Sequence, residues 1–114
     1  MARILVADDN RQLVEMIRAT LHDAGYDVVS AYSGLAVANL IVREDVDLLV
    51  LDVLMPGMSG DAVATLMKRA KPHVPVLLMT GDSGGEFVAG VEFPILRKPF
   101  TDQQLVDAVR DVLR

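Results

Sequence analysis

Five polar residues stand directly behind short apolar runs. Asp8 and Asp9 follow residues 4–7, Asp52 follows residues 48–51, Thr80 follows residues 76–79, and Lys98 comes shortly after residues 95–96. A charge at the mouth of an apolar segment is penalised by desolvation unless something offsets it. Three carboxylates drawn together repel one another, so they either take up protons or are neutralised by a cation. Oxygen donors without Cys or His favour a hard ion, Mg²⁺ before zinc. Lys98 supplies a compact positive charge on a flexible stem, and Thr80 a hydroxyl that can donate to an oxyanion. A metal, a carboxylate, an ammonium and a hydroxyl around one cavity suit a phosphoryl group.

The elements that must position these residues read as alternating strands and helices. The apolar runs are Ile4-Leu5-Val6-Ala7, Val28-Val29, Leu48-Leu49-Val50-Leu51, Val76-Leu77-Leu78-Met79 and Ile95-Leu96. Near-continuous apolar runs, rather than strict alternation, indicate strands covered on both faces, as in a parallel sheet. Between them lie segments of helical period. Leu13, Ile17 and Leu21 repeat at four-residue spacing before Gly25, a helix stop. Residues 34–43 are rich in Ala, Leu, Ile and Val. Val63, Leu66 and Met67 form one stripe ahead of Pro72. Leu105, Ala108, Val109, Val112 and Leu113 make an amphipathic face, and Thr101 with Gln104 has the spacing of a capping box. The order is β-α repeated five times. The expected fold is α/β, a doubly wound five-stranded parallel sheet with helices on both faces and a ligand crevice at the carboxyl ends of the strands. Adjacent first and third strands in such a sheet would bring Asp8, Asp9 and Asp52 to one rim.

Composition narrows the function classes. The chain has 114 residues, 52% of them hydrophobic, which suits a single packed domain over residues 1–114 and excludes disorder. Cysteine is absent, which removes disulfides and thiolate chemistry and is compatible with a reducing cytoplasm, the expected location. The formal net charge of −5 argues against nucleic-acid binding by this domain. No apolar run approaches the ~18 residues of a membrane span, and no signal-peptide layout precedes the first strand. No glycine-rich fingerprint follows that strand, which disfavours dinucleotide binding.

Asp8-Asp9, "LDVLMPGMSG" around Asp52, Thr80 in "LLMTG", and Lys98-Pro99-Phe100 together resemble the response-regulator receiver domain of two-component signal transduction. The resemblance covers nearly the whole chain. It implies the flavodoxin-like strand order 2-1-3-4-5. It implies that Asp52 is the phosphoacceptor, since carboxylates are known nucleophiles toward phosphoryl groups. Asp9, Asp52 and the backbone carbonyl of Leu54 would hold Mg²⁺, with Asp8 acting mostly through water. Lys98 would contact a phosphoryl oxygen, Pro99 would fix the turn behind it, and Thr80 would move toward the phosphoryl group. The implied partners are a histidine kinase or histidine phosphotransfer protein and a downstream protein effector. No output domain is expected within these residues. The resemblance also implies no enzymatic action beyond the domain's own aspartyl phosphorylation and dephosphorylation. The positions two past Asp52 and two past Thr80, which tune phosphoryl lifetime in receivers, are Leu54 and Asp82.

Two departures from the family pattern stand out. The position three before the lysine, usually aromatic and part of the switch, is Ile95; Phe93 shares its strand parity. The segment from Gly81 to Arg97 is short by about one helical turn (~4 residues) and glycine-rich, so the helix between the fourth and fifth strands is expected to be short, irregular or mobile. Similar compact segments occur in receivers of hybrid histidine kinases, which leaves a fragment of such a kinase as an alternative. Ile95 motivates a second alternative, a degenerate receiver that binds partners without phosphorylation. A Mg²⁺-dependent phosphohydrolase fits less well, because Leu54 stands where the common aspartate-based phosphatases carry a second acid. Each residue also has a plainer reading. Asp8 or Asp9 could cap the first helix, with Asp9 and Gln12 at capping-box spacing. Asp52 could be a turn residue, Thr80 a satisfied strand-end hydroxyl and Lys98 a snorkelling surface lysine. His22 and His73 read as solvated imidazoles.

Overall fold

The computed structural model describes residues 1–55, 60–81 and 93–114. Its strands are β1 (Arg3–Ala7), β2 (Asp27–Ala31), β3 (Leu48–Asp52), β4 (Val76–Thr80) and β5 (Ile95–Arg97). Its helices are α1 (Arg11–Asp23), α2 (Gly34–Arg43), α3 (Gly60–Ala70) and α4 (Asp102–Leu113). All strand pairs are parallel and the order is β2-β1-β3-β4-β5, the order implied by the family resemblance. β1 and β3 are direct neighbours, with Ala7 level with Leu51. The expected irregular helix between β4 and β5 falls on residues 82–92, which lie outside the described residues, as does Asp82.

Alternation along the central strands explains why their sequences are apolar throughout. Leu5, Ala7, Leu49, Leu51 and Leu78 pack with Val37 and Ile41 of α2 and Val63 and Met67 of α3. Their chain neighbours Ile4, Val6, Leu48, Val50, Leu77 and Met79 pack on the other face, with Val14, Ile17 and Leu21 of α1 and Leu105 and Val109 of α4. Each buried Leu, Ile or Val contributes about 1.5–3 kcal/mol relative to exposure. Two layers of helices thus press the sheet from both sides, leaving polar residues to the strand ends.

Local signals set the helix limits. α1 ends in a Schellman arrangement: Tyr26 N–H donates to Leu21 O at 3.0 Å and Gly25 N–H to His22 O at 3.0 Å. This requires φ +99° at Gly25, a conformation that a side chain would strain. The Thr101–Gln104 capping box forms at α4 as expected, with both reciprocal bonds present. Two stripes differ in detail. In α1 the fully buried set is Val14, Ile17 and Leu21, and Leu13 is only half-buried. In α3, Ala64 joins Val63 and Met67 in the core, and Leu66 turns outward at 40% exposure. In both helices the buried set follows the i, i+3/i+4 geometry of the face that meets the sheet.

The cap of α1 corrects the plainer reading of the first two acids. The N-cap is Asn10, whose side chain accepts from Leu13 N–H at 3.2 Å. Asn ranks with Asp as an N-cap, and with Asn10 in that position neither Asp8 nor Asp9 is consumed by the helix.

Candidate functional site

Parallel strand register delivers the polar residues to one rim. Asp8 is the first residue past β1, and its N–H extends the ladder to Ala31 O at 3.3 Å. Asp52 is the last residue of β3, level with Met79 of β4. Thr80 closes β4, and its carbonyl accepts from Lys98 N–H at 2.7 Å. The same hydrogen-bond ladder that builds the sheet therefore sets Lys98 beside the strand ends. The Lys98–Pro99 peptide is cis.

At this rim, oxygens of Asp8, Asp9 and Asp52 lie within 4.8 Å of one another. Asp8 and Asp52 are buried, at 1% and 6% exposure, whereas Asp9 is open to solvent. Lys98 Nζ approaches Asp8 Oδ2 to 2.6 Å and Asp52 Oδ1 to 3.5 Å. Asn10 N–H donates to Asp8 Oδ1 at 3.0 Å, and Leu54 N–H reaches Asp52 Oδ1 at 3.4 Å. Burial pushes the Asp52 carboxyl up to about 6, helped by the adjacent Asp8 charge and opposed by Lys98 and the Leu54 N–H. Thr80 Oγ1 is buried without a hydrogen-bond partner among the described residues.

The donor chemistry fits a hard divalent cation. The three carboxylates offer oxygen only, and against the single ammonium of Lys98 they leave an excess of two negative charges when ionised. Asp9 keeps its lone pairs exposed, and Asp52 is destabilised as an anion by burial and by Asp8, the electrostatic state that a bound cation relieves.

The structure thus assembles Asp8, Asp9, Asp52 and Lys98 at one place, with Thr80 one backbone hydrogen bond from Lys98. Leu54, two residues past Asp52, is 58% exposed. Ile95 lies at the opposite end of β5 from Lys98, 39% exposed. Phe93 packs on the α2/α3 side, where Lys68 Nζ sits 5.4 Å from its ring centroid. Sequence reasoning missed the direct Asp8–Lys98 pair, because nothing in residue order says which carboxylate a lysine 90 positions away will meet. It also passed over Asn10 as the cap, although the Asn10–Leu13 spacing was there to read.

Known proteins share this arrangement of elements. A sequence profile described as response regulator receiver domain matches residues 4–110. The chain is 37% identical to the response regulator MprA of Mycobacterium avium over 98% of its own length and 51% of that protein, so it spans about half the length of the curated relatives it matches. The crystal structure of a response regulator receiver protein from Sinorhizobium medicae superposes with TM-score 0.88 at 34% identity, covering 98% of this chain and 94% of that one. The chemotaxis response regulator CheY4 of Vibrio cholerae gives TM-score 0.90 at 28% identity, covering 99% of each chain. Strand order, profile and relatives agree, and the chain belongs to the response regulator receiver domains of two-component signalling.

Proposed function

We propose that this domain accepts a phosphoryl group on Asp52 and uses it to control a protein–protein contact. The observation that carries this reading is the convergence of Asp8, Asp9 and Asp52 within 4.8 Å of one another, with Lys98 against Asp8 and Asp52, at the carboxyl end of a parallel sheet. The donor in this reading is a phosphohistidine on a histidine kinase or phosphotransfer protein. An Asp52 carboxylate oxygen attacks phosphorus, the N–P bond breaks, and the imidazole leaves with the electron pair. With its carboxyl at about 6, Asp52 is mostly ionised above neutrality, as a nucleophile must be. Lys98, 3.5 Å from Asp52, is close enough to shift onto an equatorial phosphoryl oxygen. The buried Thr80 hydroxyl, which has no described partner, then gains an acceptor by moving toward the new group. That motion biases the β4–β5 end of the sheet and alters the surface a partner meets.

Asp9, Asp52 and the Leu54 carbonyl would hold Mg²⁺, with Asp8 at one remove because its carboxylate is committed to Lys98. Bound there, Mg²⁺ supplies charge neutralisation for the oxygens of the transferring group.

Incubation with acetyl phosphate and Mg²⁺ tests the reading. Intact-mass measurement should show one added phosphoryl group on the wild-type protein and none on Asp52→Ala. Equal labelling of the two would exclude Asp52 as acceptor.

Ile95 favours a second reading, in which partner binding does not depend on phosphorylation. The residue is aliphatic and 39% exposed, so it offers no ring to exchange between buried and exposed positions. Unchanged partner affinity with and without beryllofluoride would select that reading.

A further inference from the structure

Arg11 is the first residue of α1, where a cation opposes the helix dipole, and no acidic residue occupies that turn to compensate. Its guanidinium lies 4.1 Å from the centroid of the Tyr32 ring. Tyr32 directly follows β2, beside the point where Asp8 N–H meets Ala31 O, so this stack stands at the same rim as the acid cluster. Glu15 is one helical turn from Arg11, but its carboxylate accepts from the Tyr32 hydroxyl at 3.4 Å and faces Arg18 at 3.6 Å. Among the described residues no carboxylate pairs with Arg11, and the side chain is exposed. Stacking holds the flat guanidinium while leaving its in-plane N–H donors available. Lys98, the other cation of the rim, is occupied by Asp8.

We propose that Arg11 is a specificity-determining residue for small-molecule phosphodonors, favouring doubly charged acyl phosphates over singly charged phosphoramidates. The inference rests on Asp52 being the acceptor. With acetyl phosphate, an Asp52 oxygen bonds to phosphorus, the P–O bond to the acyl group breaks, and acetate leaves with the electron pair. Phosphoramidate carries its proton on nitrogen, so ammonia leaves. The chemistry at Asp52 is the same, and the donors differ in the charge they bring to an acidic rim. A fixed positive charge attracts a dianion with twice the energy it gives a monoanion, and salt screens both.

The test is the second-order phosphorylation rate with each donor in excess Mg²⁺, read by rapid quench and intact mass, at low and high salt. Arg11→Gln should slow acetyl phosphate about threefold at low ionic strength and phosphoramidate by about the square root of that factor. Both effects should shrink at high salt as the Debye length falls. Arg11→Lys should restore the acetyl phosphate rate, and Arg11→Glu should slow it by about the square of the Gln effect. Thermal melts of each variant verify folding. Equal slowing of both donors, slowing that salt leaves unchanged, or no slowing would each overturn the proposal. Failure of the Asp52 reading looks different, because then Asp52→Ala takes up phosphoryl as the wild type does or neither protein is labelled.

Discussion

The Lys98 ammonium sits 2.6 Å from Asp8 and 3.5 Å from Asp52, so in the resting rim it is shared unequally between two buried acids. Asp8 is the more enclosed of the two and also accepts from the Asn10 N–H. The lysine therefore holds Asp8 as its close partner and has, within about 1 Å of further reach, the proposed phosphoacceptor.

Lys98→Ala should destabilise the fold by about 2 kcal/mol, because it leaves the Asp8 carboxylate buried without its counter-ion. The figure is below that for a fully enclosed pair because the lysine side chain is 26% exposed. Adding Asp8→Asn to that variant should recover most of the loss. Urea denaturation of the two single variants and the double variant measures the coupling directly.

Asp52 should make stability pH-dependent when divalent ions are absent. Its carboxyl lies at about 6 in the fold against 3.8 for an unperturbed aspartate, so the folded chain binds this proton more tightly than the unfolded one. The stabilising contribution is complete below about pH 4, fades as pH rises through 6, and is gone above that. Asp52→Asn should consequently be more stable than wild type at pH 7.5, by on the order of 2 kcal/mol, and the difference should vanish near pH 4. Saturating Mg²⁺ should reduce the difference at pH 7.5. Thermal melts across pH, with EDTA and with Mg²⁺, provide the check.

Asp9 and Asn10 adjoin but should separate two properties. Asp9→Asn removes an exposed carboxylate, so stability should stay within about 0.5 kcal/mol while Mg²⁺ affinity falls about tenfold or more. Asn10→Ala removes the helix cap and should cost about 1 kcal/mol with a smaller effect on Mg²⁺. Calorimetric Mg²⁺ titration beside denaturant melts distinguishes the two, and a large stability loss in Asp9→Asn would contradict this assignment of the cap.

Thr80→Val should be neutral or stabilising by up to about 1 kcal/mol, since it replaces a buried hydroxyl that has no described partner with a methyl of the same shape. The same variant should blunt the conformational response to beryllofluoride, read as amide chemical-shift changes on β4 and β5. A full response in Thr80→Val would remove the hydroxyl from the switch.

The two-faced parallel sheet was legible because it has a strong physical cause, whereas the strand order came from the family resemblance and not from the residues themselves. Runs such as Leu48-Leu49-Val50-Leu51 suit a strand covered on both sides, and polar residues at successive strand ends share one rim once the strands run parallel. The Thr101–Gln104 box was legible for the same reason: it is a local signal with a local outcome. What escaped were choices made in three dimensions. Whether Leu13 or Val14 turns inward depends on the angle at which α1 meets the sheet, and spacing alone fits both. Which acid faces Lys98 depends on the Thr80–Lys98 ladder bond, which joins segments that sequence treats as separate. Arg11 was unreadable as a rim residue until Tyr32, contributed by another element, appeared beneath it.

The alternation within β3 has a consequence for how such a domain can diversify. Leu49 and Leu51 answer to α2 and α3, while Leu48 and Val50 answer to α1 and α4, so the sheet divides the interior into two compartments with separate packing problems. Repacking one compartment leaves the other's side chains in place, and both hang from the same strand ends. A lineage can therefore remodel one flank for a new associate while the opposite flank keeps the acidic rim in register.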